Sequence, residues 1–64
     1  MMWITFVEKN DGRITLRSDD ILMVEVGGLC SRIVFRGPLG NIIFEEVSES
    51  EARRMEIALR SGYG

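Results

Sequence analysis

The sequence predicts a small α+β domain, an antiparallel β-meander of about five strands with one C-terminal helix packed on one face. Two patterns predict it. Short stretches rich in β-branched and aromatic residues recur from Trp3 to Val47, punctuated by Gly, Asn, Asp or Pro. Beyond Ser48 the apolar spacing becomes that of a helix. A third observation sets the problem this fold must solve. Ile33-Val34-Phe35 and Ile42-Ile43-Phe44 are apolar at three consecutive positions, and neighbours on a strand point to opposite faces. Both sheet faces are therefore apolar at mid-length, where a sheet wetted on one side would alternate.

Trp3-Ile4-Thr5-Phe6-Val7 reads as the first strand, and Glu8 to Gly12 as a turn with Asn10, Asp11 and Gly12 suited to left-handed positions. Arg13-Ile14-Thr15-Leu16-Arg17 alternates strictly and completes a hairpin. Ser18-Asp19-Asp20 resembles a capped 3₁₀ turn running into Ile21 and Leu22. Met23 to Val26 is the third strand, with Val24 and Val26 inward and Met23 and Glu25 outward. Gly27-Gly28 breaks it, and Leu29-Cys30 leads into the central hairpin. There Gly37-Pro38-Leu39-Gly40 makes the turn, its glycines permissive and its proline presetting φ at the first corner.

The helix is clearly punctuated. Ser48 is a good N-cap and Glu51 completes a capping box, while Glu49 and Glu51 favour the positive end of the dipole. Glu49–Arg53 and Glu56–Arg60 are i,i+4 pairs, and Gly62 is a plausible stop. Ala52, Met55, Ala58 and Leu59 form one apolar stripe, with Ile57 on the opposite side.

That stripe can cover one face, over Ile4, Phe6, Ile14, Leu16, Val24, Val26, Ile33 and Phe35. The second face holds Trp3, Thr5, Val7, Arg13, Thr15, Arg17, Met23, Glu25, Arg32, Val34 and Arg36. It is joined by Ile43 or by Ile42 and Phe44, depending on register. An apolar floor ringed by Arg13, Arg17, Arg32 and Arg36 suits an interface or a ligand site.

Composition narrows the function. At 64 residues the chain reads as one domain near the lower limit for folding alone. Cys30 is the single cysteine and histidine is absent, so neither an intrachain disulfide nor a structural zinc site is expected. Self-association remains as the way to gain stability. A net charge of −2 disfavours nucleic acid and anionic membranes as partners. Apolar runs are too short to span a bilayer, and Met1-Met2-Trp3 enters a strand without a basic leader, so a cytoplasmic protein is expected. Seven of the eight basic residues are Arg, from a GC-rich coding genome or for recognising carboxylate or phosphate.

The order Ile4-Thr5-Phe6, Gly12, Ser18-Asp19-Asp20-Ile21, Val24-Glu25, Ile33, Gly40 and Glu46-Val47-Ser48-Glu49 resembles short swarming-motility and flagellar-operon proteins of the FlbD type, and similar small phage proteins. The resemblance spans about residues 3–59, and the Gly37–Gly40 insertion departs from its shorter turn. It implies a small cytoplasmic regulator without catalytic residues.

Catalysis is hard to assemble without histidine, and Cys30 reads as a small buried residue rather than a nucleophile. Asp19-Asp20 reads as turn capping rather than a metal site, and neither glycine cluster fits a phosphate loop. No cofactor is expected. Binding remains, in three forms. One is a homo-oligomeric protein that regulates or inhibits another protein, with Trp3, Arg13, Arg17, Arg32, Val34, Arg36 and Ile57 as candidate contacts. In the second, subunits share a site where the arginines hold the phosphates of a nucleotide-like anion and Trp3 stacks on its base. A nucleic-acid-binding β-face is the third.

Overall fold

A computed structural model describes residues 2–61. It contains β1 (Trp3–Val7), β2 (Arg13–Arg17), a 3₁₀ turn (Ser18–Asp20), β3 (Ile21–Glu25), β4 (Ser31–Arg36), β5 (Ile42–Val47) and α1 (Glu49–Ser61). Every strand pairing is antiparallel and between sequence neighbours, but β2 and β3 do not pair, so the strands form two sheets, β1-β2 and β3-β4-β5. The division falls at the 3₁₀ turn. The Ser18 N–H donates to the Met2 carbonyl at 2.8 Å and its hydroxyl accepts from the Met2 N–H at 3.2 Å, tying the turn back to the hairpin. No side chain caps this turn. The Ile21 N–H reaches the Ser18 carbonyl instead, which corrects the capping role expected of Asp19-Asp20.

The loops obey their backbone chemistry in detail. Asp11 takes the left-handed position of the first hairpin (φ 71°), where the Glu8 carboxylate accepts from the Gly12 N–H at 3.0 Å. In the second hairpin Gly40 has positive φ, and Gly37 lies close under the side chains of Asn41 and Ile43. A Cβ there would lie 2.6 Å from the Ile43 side chain.

One core joins both sheets and the helix. Ile4 and Phe6 of β1, Ile33 and Phe35 of β4, Val47, Ala52 and Met55 are buried together, with Ile14, Leu16, Ile21, Val24, Val26, Ile43, Ala58 and Leu59 packed around them. Phe6 meets Phe35 edge to face, centroids 6.1 Å apart. Ser48 caps α1, its hydroxyl accepting from the Glu51 N–H at 3.1 Å. Gly62, read as the helix stop, lies outside the described residues.

The Glu51 carboxylate serves the sheet. It accepts from the Val7 N–H at 2.9 Å and from Arg54 at 2.8 and 2.9 Å, while Arg54 Nη2 donates to the Thr5 carbonyl at 2.7 Å. One ion pair thus satisfies two backbone groups on the outer edge of β1. Hydrogen bonding from Arg54 holds the Glu51 carboxyl below its usual range against the cost of desolvation, and the Val7 N–H adds to it.

Glu51→Ala is expected to cost about 1–3 kcal/mol in urea unfolding, because the Val7 N–H loses its acceptor. Arg53→Ala, which removes an exposed helix pair, should cost under about 0.5 kcal/mol. Since the folded-state pKa of Glu51 is depressed, its contribution is present above the unfolded carboxylate pKa and lost as pH falls through the folded value. The gap in stability between wild type and Glu51→Gln should therefore narrow as pH falls from the ordinary carboxylate range through the lower folded-state pKa of Glu51.

Candidate interaction surface

The outer face of β3-β4-β5 is built in rows across the strands. Met23, Val34 and Phe44 stand side by side, flanked by a row of Glu25, Arg32 and Glu46 and by the pair Arg36 and Ile42. A bulge between Ile21 and Met23 places two residues where one would pair. Ile21 packs on the core, and Leu22 joins Met23 outside it. Leu22, Met23, Ile42 and Phe44 are 44–54% exposed, whereas Val34 at their centre is 4% exposed.

Val34 is dry without touching the core cluster, because it lies on the central strand between two large neighbours. Its own strand adds cover. Arg32 lays its guanidinium over the Phe44 ring, 4.9 Å from the centroid, and pairs with Glu25 across the sheet. That hydrogen bond lowers the Glu25 pKa and raises that of Arg32. Around the same face Lys9 binds Glu46 at 2.7 Å and Arg36 lies 3.9 Å from Asp20. The rim thus matches three acids with three bases.

The other expected residues fall elsewhere. Arg13, Arg17 and the exposed Trp3 sit on the outer side of the hairpin, so the four arginines do not ring one floor. The expected continuous second face is broken where the 3₁₀ turn separates the sheets. At that junction Trp3, Arg17 and Arg36 do meet, lining a hollow of about 200 Å³ with Asp20 and Pro38. Ile57 is exposed on the far side of α1 and belongs to neither surface.

Two further expectations are corrected. Cys30 is exposed in the β3–β4 loop rather than buried, because Gly27 and Gly28, both with positive φ, swing that loop away from the core. The third strand is Ile21–Glu25, not Met23–Val26, since Ile21 already pairs with Phe35. Sequence reasoning missed the two outward contacts of Glu51 and Arg54. The signal was available in their i,i+3 spacing beside an uncovered strand.

Comparison with protein-family models, with curated proteins and with solved structures found no match. Among the described residues no helix is long and apolar enough to cross a membrane.

Val34→Ala is expected to destabilise the single chain by roughly 1–3 kcal/mol despite its outward position, as it removes methyl groups already shielded from water. Leu39→Ala, at an exposed loop tip, should change chemical unfolding by less than about 0.5 kcal/mol.

Proposed function

We propose that this chain is a non-catalytic binding protein that self-associates through the outer face of β3-β4-β5 and regulates or inhibits another protein. One observation carries the reading. Four large apolar side chains are half exposed around a dry centre, inside a rim whose charges are already matched within the chain. A contiguous apolar patch of this kind marks an interaction surface. Its neutral rim favours a like face over a charged polymer, and a two-fold arrangement sets identical patches against each other. A standard interface takes about 800 Å² from each partner, roughly a fifth of this chain's 4323 Å². The regulatory part of the proposal follows from the sequence resemblance to short motility-operon proteins and similar small phage proteins.

The test is native mass spectrometry of wild type beside Phe44→Glu. The wild type is expected as a dimer or higher oligomer at micromolar concentration. The variant should be a folded monomer, because the new carboxylate faces its own copy across the two-fold. A wild type that is monomeric at that concentration contradicts the proposal.

The meeting of Trp3, Arg17 and Arg36 at one hollow favours a second reading, in which a nucleotide-like anion is held there. On that reading a millimolar nucleotide panel should raise the melting temperature by several degrees, with the gain lost in Arg36→Ala. An unchanged melting temperature with every nucleotide removes it.

A further inference from the structure

Sheet edges carry N–H and C=O groups that can pair with another chain, and this fold guards them unequally. The edge of β1 is closed by Glu51 and Arg54. On β5, the Lys9 N–H donates to the Glu46 carbonyl at 2.9 Å. On β3 the bulge at Leu22 disrupts regular pairing. β2 differs from all three. It pairs with β1 over its full length without a bulge, and among the described residues no strand pairs with its other side.

The hydrogen-bond phase of the hairpin makes that edge usable. Thr5 and Val7 direct backbone groups to α1, away from β2. They therefore belong to the non-bonded pairs of the antiparallel ladder, and their partners Thr15 and Arg13 direct their own N–H and C=O groups away from β1. Burial is graded the same way. Ile4 and Phe6 are 7% and 0% exposed, yet Leu16 and Ile14 opposite them remain half-buried. An added strand would complete their cover.

We infer that the β2 edge accepts an extended segment of a partner protein that alternates acidic and apolar residues. The apolar residues lie beside Ile14 and Leu16 and the acidic ones beside Arg13 and Arg17. A second copy of this chain does not fit, since two-fold pairing of β2 along its whole length sets Arg13 against the copy's Arg17. The inference rests on the reading of this chain as a protein-binding module and is independent of its self-association, because β2 takes no part in the outer face of β3-β4-β5.

The test titrates two short capped peptides, one alternating Glu and Val and one alternating Lys and Val, into the full isotope-labelled chain, read by amide NMR shifts. The Glu–Val peptide should bind saturably, shift the amides of Arg13 and Thr15 and slow their exchange with water. The Lys–Val peptide should bind about tenfold more weakly. Thr15→Pro removes an outward N–H while sparing the bonded pairs of the hairpin, and should abolish binding. Arg13→Glu should shift the preference toward the Lys–Val peptide, a gain that a folding defect cannot produce. Absence of saturation in the millimolar range, equal binding of both peptides, or shifts centred on Phe44 and Met23 would overturn the assignment. A monomeric chain that binds the Glu–Val peptide sinks self-association alone, and an oligomer that ignores the peptide sinks this inference alone.

Discussion

The edge-to-face contact of Phe6 with Phe35 is where the hairpin and the three-stranded sheet become one molecule. Neither part covers its own apolar side. A two-stranded hairpin is marginal in water, and a three-stranded sheet needs a partner for its apolar side. Around this contact α1 inserts Ala52 and Met55, both fully buried, with Ala58 and Leu59 extending the cover. While Ile14 and Leu16 on β2 stay half-buried, these small and medium side chains bring the helix close enough to bury Ile4, Phe6, Ile33 and Phe35. They also exhaust it: no other helix exists among the described residues. The outer face of β3-β4-β5 is left to its own side chains, which keep Val34 dry but leave Phe44, Ile42, Met23 and Leu22 half in water. That imbalance is the physical basis of the proposed association.

The same helix also governs the edges. Glu51 begins as a capping residue by sequence, yet its carboxylate turns to the Val7 N–H and to Arg54. The fold therefore uses one ion pair to fix the helix on β1 and to close the strand to other chains. Closure of β1 has a counterpart at β2, whose alternate arginines remain on the outer side. Surface ion pairs contribute little in general, but this one is coupled to two backbone hydrogen bonds, and the Glu51 side chain is only 16% exposed.

Much of this was legible in the sequence, because alternation and helical spacing report burial directly. The eight residues assigned to the inner face from Ile4 to Phe35 all join the core, and the stripe of Ala52, Met55, Ala58 and Leu59 packs as the spacing requires. The 3₁₀ turn and the Ser48 cap were likewise local signals. What escaped was non-local. Nothing in Ser18-Asp19-Asp20 announces that Met2 will hold the turn and split the meander into two sheets. The register of β5 depended on the turn at Gly37–Gly40, where the Gly37 N–H reaches the Asn41 carbonyl at 2.7 Å and sends Ile42 and Phe44 outward. The arginines were placed on the right strands but assigned to one surface, because strand alternation cannot report a break between sheets.

A helix too small to dry both sides of its sheets links fold to function, and the concentration dependence of the wild-type thermal midpoint tests that link most directly. Self-association couples folding to protein concentration by mass action. Over about a hundredfold dilution the midpoint is expected to fall by about 5 °C or more. A midpoint that stays constant across the series would mean that the outer face is content in water, and would contradict the account.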